Sequence, residues 1–179
     1  GGRVGGLRIG GVGDITCFSF DGIKNITAGE GGAVATRDPE IAERIRDARL
    51  LGVVKDSDRR REGRRSWDFE VRAPGWRYHM SDIMAAIGRV QLARLDNDLA
   101  PRRVALARRY RERLQGADGV ALLETDLDCV VPHIQPVRLL NGRRDAVRAR
   151  LAQEEVETGI HYKPNHLLDY FGGGRPTLP

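Results

Sequence analysis

Between Gly13 and Thr36 the chain runs through an apolar strand, turns tightly around one lysine, and returns along glycines into a second strand. The run reads Gly-Asp-Ile-Thr-Cys-Phe-Ser-Phe-Asp-Gly-Ile-Lys-Asn-Ile-Thr-Ala-Gly-Glu-Gly-Gly-Ala-Val-Ala-Thr, with Lys24 at the turn. A lysine held between two buried strands suits Schiff-base chemistry. Desolvation favours the neutral, nucleophilic form of an amine. Glycines on the far side let a planar molecule approach the backbone closely. A surface hairpin carrying an ordinary solvated lysine satisfies the same residues, so the local pattern leaves both readings open.

Three further stretches bear on the choice. Gly75-Trp76-Arg77-Tyr78-His79-Met80 leads into Ser81-Asp82-Ile83-Met84-Ala85-Ala86-Ile87-Gly88, and Gln91-Leu92 with Leu95-Asp96 extends the same helical pattern. Near the end stand Gly159-Ile160-His161-Tyr162, Pro164 and His166. Together with the lysine segment, and in this order, these stretches resemble the sugar-nucleotide aminotransferases of the DegT/DnrJ/StrS type. The resemblance implies a fold type I enzyme using pyridoxal 5'-phosphate (PLP). The expected fold class is α/β: part of an aspartate aminotransferase-like large domain, residues 1–100, followed by a small, incomplete α+β C-terminal domain, residues 101–179.

The chain has 179 residues, starts with Gly, and starts in the middle of the family pattern. Its last residues, Gly174 to Pro179, resemble the region before the family's final helix and strand. The expectation is therefore a fragment, a truncated product, or part of a larger protein. The family's ring-nitrogen Asp, its ring-stacking aromatic and its phosphate-cradling Gly-Thr turn belong upstream of Gly1. On that basis the isolated chain is not expected to sustain turnover.

The formal charge is +5, carried almost entirely by arginine, with lysine only at 24, 55 and 163. Such a balance can signal nucleic acid. Here Arg102, Arg103, Arg108, Arg109, Arg111 and Arg113 surround Val104, Leu106, Ala107, Tyr110 and Leu114 at helical spacing, which reads as a solvated helix face. Nucleic acid and membrane partners are not expected. The exception is Lys55 to Arg65, where Arg59, Arg60, Arg61, Arg64 and Arg65 crowd a short polar stretch. This reads either as a mobile loop or as a phosphate site. Cys17 and Cys129 show no metal-ligand spacing, so no metal is expected, and buried reduced thiols in a cytoplasmic protein are the reading.

Pattern places a helix over 39–51, with Asp38 as N-cap and Pro39 at the first helical position. Residues 53–74 form a long loop. Ser81 caps a helix to Leu99, a break follows over Asn97 to Pro101, and a third helix covers 102–115. Strands are expected at 120–124, 129–139 and 158–162, with a helix at 145–155; Pro132 and Pro136 make the second of these strands irregular or edge-placed.

The resemblance also assigns roles. Lys24 is the catalytic residue and the covalent anchor of PLP; when displaced by an amino donor, its amine moves a proton at the donor's α-carbon. Ser19 contacts the cofactor phosphate, and Asn25 is counted with the cofactor site. Arg77 stands where the family often carries an Asn that reaches a partner's cofactor phosphate. This chain departs from the pattern there, with a longer, forked and charged side chain, and Arg77 is counted with the cofactor site of an expected homodimer. Glu30, His161, Tyr162 and His166 are the substrate-side candidates. The implied activity passes an amino group, with glutamate as expected donor, to a keto sugar nucleotide in amino-sugar or polysaccharide biosynthesis. Lysine rather than histidine at position 24 favours transamination over the family's dehydratases. The alternative is a non-catalytic truncated paralogue or dimerisation partner.

Overall fold

The computed structural model describes residues 1–54, 62–63, 67 and 69–171. Two compact units are present: Gly1–Gln115 together with Glu124–Pro136, and Gly116–Leu123 together with the chain from Val137 onward.

The first unit opens with a hairpin of β1 (Arg3–Val4) and β2 (Leu7–Arg8), turned by Gly5 and Gly6 at φ 55° and 79°. Two adjacent positive φ values are the requirement of a tight hairpin turn that glycine meets without strain. Then β3 (Ile15–Ser19) pairs antiparallel with β4 (Gly32–Thr36), Ile15 opposite Thr36 and Ser19 opposite Gly32. These are the strands expected around Lys24, but neither is buried: alternate residues of β3 are exposed, and only Ala35 and Thr36 of β4 are half-buried.

From Thr36 the chain enters α1 (Pro39–Ala48), which packs on β4. The expected cap is in place. Asp38 Oδ1 accepts from the Glu40 and Ile41 amides at 2.8 and 3.2 Å, and Pro39 fills the first turn, where its missing N–H is no loss. Beyond Val54 the Val54 amide donates to Glu70 O at 3.0 Å and Val53 bridges Val71, so the two ends of the long connection are tied together. Lys55, Arg59, Arg60, Arg61, Arg64 and Arg65 lie outside the described residues, as do Gly174 to Pro179.

Ser81 Oγ accepts from the Met84 amide and starts α2 (Asp82–Arg94). The expected break at Asn97 to Pro101 does not occur. Leu95–Leu99 forms a π-helical turn, and α3 (Ala100–Leu114) continues from it without interruption. The Ala100 amide reaches back to Leu95 O, and the wider turn makes room for the Pro101 ring, which would otherwise press on the preceding carbonyls. Among the described residues the buried apolar side chains are few: Ala28 at 1% exposure, Leu95 and Ala107.

In the second unit β5 (Val120–Leu122) pairs antiparallel with β6 (Val137–Leu139), and α4 (Arg144–Gln153) follows. The strand expected over 129–139 is confined to its last three residues. Cys129 and Val130 instead turn back onto Asp126 O, and Pro132 and Pro136 have no amide to offer a ladder. No strand forms over 158–162; that segment finds no ladder partner among the described residues and passes to short 3₁₀ turns at Asn165–Leu167 and Asp169–Phe171. Both cysteines are exposed and unpaired, against the expectation of buried thiols. Asp126 holds the Cys129 thiol hydrogen, which pushes that thiol's pKa up. No described helix is long and apolar enough to cross a membrane.

Candidate functional site

The connection from β3 to β4 is built around Phe20. Its amide donates to Gly31 O at 2.9 Å, and its carbonyl accepts from the Ala28 amide at 2.9 Å and from Thr27 Oγ1 at 3.2 Å. These bonds close the neck of the loop. Thr27 Oγ1 also accepts from the Gly29 amide at 2.9 Å, which orients the glycine return. A Cβ on Gly32 would press on Phe18 O, and one on Gly31, at φ 133°, would collide with the Met80 methyl, so both positions demand glycine.

Inside the loop Asp21 makes the turn that presents Lys24. The Lys24 amide donates to Asp21 O at 3.0 Å, while Asp21 Oδ1 accepts from the Ile23 amide at 3.0 Å, the side-chain turn that aspartate favours. Ser19, exposed at the end of β3, accepts from the Asp21 amide at 3.4 Å and keeps its own hydroxyl hydrogen to donate. Lys24 is half-buried. Lys24, Asn25 and Thr27 thus share one closed loop, and Ser19 stands on the strand just before its neck. Glu30, on the glycine return, is exposed.

Two side chains tie this loop to residues remote in sequence. Asn25 Nδ2 donates to Val131 O at 2.8 Å. Arg103 on α3 donates from Nη2 to Lys24 O at 3.1 Å and from Nη1 to His133 O at 3.4 Å. The segment holding Val131 and His133 is itself anchored on α3, by Arg108 to Asp128 at 2.7 Å and by Arg111 to Thr125 O. By spacing alone these arginines read as a solvated face, which leaves Arg103 out of the functional candidates. A signal existed: Arg103, Ala107 and Arg111 recur every four residues along one stripe, and the middle one is buried.

The segment before α2 lies beside the end of α1. The Trp76 amide donates to Ala48 O at 2.7 Å, the Leu51 amide to Trp76 O at 3.0 Å, and the Tyr78 amide to Arg49 O at 2.9 Å. Gly75 meets Gly52 backbone to backbone. Arg77 bridges Leu50 through its backbone and its side chain is exposed; Tyr78 and His79 are exposed too. Trp76 and Tyr78 stack with ring centres 6.1 Å apart. Met80, next in the motif, packs against Gly31 and so brings this segment to the lysine loop's return.

His161, Tyr162 and His166 belong to the second unit. His161 and Tyr162 are exposed and meet edge to face at 4.7 Å, and His166 is half-buried in the Asn165–Leu167 turn. Among the described residues no cluster of His, Cys, Asp and Glu is arranged to hold a metal.

The profile of the DegT/DnrJ/EryC1/StrS aminotransferase family matches residues 1–177. The spore coat polysaccharide biosynthesis protein SpsC of Bacillus subtilis is 34% identical over 169 residues, covering 91% of this chain and 43% of SpsC. The aminotransferase TlmJ of Streptoalloteichus hindustanus superposes with a TM-score of 0.80 at 35% identity, covering 96% of this chain and 45% of TlmJ. Spr1654 of Streptococcus pneumoniae, in its PLP form, gives 0.78 at 28% identity, covering 93% of this chain and 42% of its own. The chain spans less than half the length of these relatives.

Proposed function

Because the chain belongs to the DegT/DnrJ/EryC1/StrS aminotransferase family, we propose that it is the lysine-bearing part of a PLP-dependent sugar-nucleotide aminotransferase. The observation that carries this reading is the placement of Lys24: a half-buried lysine on a loop closed at Phe20 and fastened on both sides of it. The donor set fits the cofactor. Lys24 offers a primary amine for its aldehyde, and Ser19 offers an uncommitted hydroxyl hydrogen for its phosphate. Asn25 Oδ1, buried and without a hydrogen-bond partner, leaves an acceptor beside the lysine.

Lys24 would hold PLP covalently and Ser19 would steady its phosphate. Bound there, PLP supplies the electron sink that lets an amino acid's α-proton leave and return. The chain's own part is to aim the Lys24 amine and to let it carry that proton between the donor's α-carbon and the cofactor. In this reading the donor is glutamate, and the acceptor is a keto sugar nucleotide whose product enters amino-sugar or polysaccharide synthesis. Glu30, His161, Tyr162 and His166 are the residues assigned to the substrate, and Arg77 would serve the cofactor phosphate of a homodimer partner. In this reading residues 1–100 belong to the large, cofactor-binding domain of a cytoplasmic enzyme.

Borohydride reduction of the protein expressed from its whole gene, after incubation with PLP, tests the reading directly. Peptide mapping is expected to find a pyridoxyl group on Lys24. A folded protein with no such adduct overturns the assignment in favour of a non-catalytic paralogue.

A further inference from the structure

Arg103 reaches two carbonyls with two different nitrogens, and one of those carbonyls belongs to Lys24. We propose that Arg103 is a positioning residue for Lys24, a clamp that fixes the frame from which the amine is aimed; the proposal deepens the aminotransferase reading and rests on it for the purpose of that aim.

A lysine side chain is long and freely rotating, so the position of its amine depends on how firmly its backbone is held. The Lys24 N–H is satisfied inside the turn by Asp21 O. Its carbonyl accepts from Arg103 Nη2, at 3.1 Å in a half-buried setting. A guanidinium is a planar fork with donors on both arms, which lets it bridge two acceptors where an ammonium cannot do so with the same rigidity. The second arm takes His133 O, two residues beyond Val131, the acceptor for Asn25. Adjacent residues of the loop, 24 and 25, are therefore fastened to the same short segment by independent side chains. That segment is itself tied to the same helix, Arg108 donating to Asp128 and Arg111 to the Thr125 carbonyl. Helix, segment and lysine loop form a closed circuit, and Arg103 is the member that touches all three. A merely solvated arginine would make neither carbonyl bond.

Met and Lys replacements separate the donor role from the packing of the stem, since both keep the apolar stem. Wild type, Arg103→Met and Arg103→Lys are prepared from the whole gene, and amide exchange without cofactor is followed over residues 20–31. Loss of a charge-assisted bond is expected to speed exchange there about tenfold in Arg103→Met, while the amides of β3 and β4 keep their wild-type rates. Trapping of PLP on Lys24 by borohydride, at limiting cofactor, is expected to fall in Arg103→Met and to recover by about half in Arg103→Lys, whose ammonium can serve one carbonyl. Unchanged exchange over 20–31 in Arg103→Met overturns the proposal, and so does an Arg103→Lys protein no better than Arg103→Met. If Arg103→Met does not fold, Arg103→Lys against wild type decides: a smaller rise in exchange supports the clamp and no rise overturns it. Wild type that cannot be trapped at Lys24 sinks the aminotransferase reading, whereas the exchange result still decides whether Arg103 holds the loop.

Discussion

The side-chain amide of Asn25 donates to the carbonyl of Val131 at 2.8 Å across 106 positions of sequence, so the residue after the candidate catalytic lysine is anchored far from its own hairpin. The bond is partly buried, and the Val131 carbonyl loses this donor if it is removed. Asn25→Ala is therefore expected to cost about 1 kcal/mol in a urea melt. Asn25→Asp is expected to cost more at neutral pH, since it loses the donor and sets a carboxylate against a carbonyl. A carboxyl disfavoured when charged has a raised folded pKa, so the Asp variant should regain stability as pH falls. A variant whose deficit does not shrink on acidification would show that the contact with Val131 is not what holds the loop.

Asp98 sits in the π-helical turn between Arg94, at 2.7 Å, and Arg102, at 2.6 Å. The hydrogen bonds from Arg94, and then the charges of both arginines, hold its carboxyl below the ordinary 3.8. The sign follows. A folded pKa below the unfolded one gives stability that is present above about pH 4 and is lost as pH falls through the lowered value. Helical signal from α2 to α3 should weaken in that acid range in wild type. Asp98→Asn should remove that part of the pH dependence, as read by circular dichroism at several pH values.

What could be read from the sequence was what short-range chemistry decides. Asp38 and Ser81 cap their helices because a small polar side chain before an apolar stripe has amides three residues on to satisfy. The hairpin around Lys24 followed from apolar runs meeting at glycines. Residues 97–101 looked like a break because Pro101 forbids an ordinary helical bond, but a π turn solves the same problem while keeping the helix. The 129–136 segment looked like strand because its residues are apolar; what shapes it is Asp126 in front of it and the arginines of α3 beneath it. Arg103 was invisible for the same reason: its partners lie 79 and 30 residues away. Family motifs located the lysine, and only the three-dimensional neighbourhood shows what grips it.

Gly75 has no room for a side chain. A Cβ there would overlap the Gly52 amide and the Leu51 carbonyl carbon, both backbone atoms that cannot swing aside. Gly75→Ala is expected to cost about 1–3 kcal/mol and to loosen the Leu51–Trp76 pairing, seen as faster amide exchange at Leu51. Gly22 is the control. An added Cβ meets nothing within 4 Å and its φ is not positive, so Gly22→Ala should be neutral or stabilise by up to about 1 kcal/mol.

Replacing Lys24 separates chemistry from fold, because the bonds that hold its loop use its backbone and not its side chain. Its N–H goes to Asp21 O and its carbonyl to Arg103, and neither changes in Lys24→Ala or Lys24→Arg. Both variants are expected to melt within about 0.5 kcal/mol of wild type. Neither should carry a pyridoxyl group after reduction. Arginine keeps the positive charge but does not give up its proton near neutrality, so charge alone cannot restore the amine's work. Loss of an acid–base group costs about 10²–10⁴-fold in rate, and loss of the covalent anchor adds to it. Transamination by the protein from the whole gene should therefore fall at least that far in both variants. A Lys24→Arg protein that still transaminates at near wild-type rate would mean that another amine does the work.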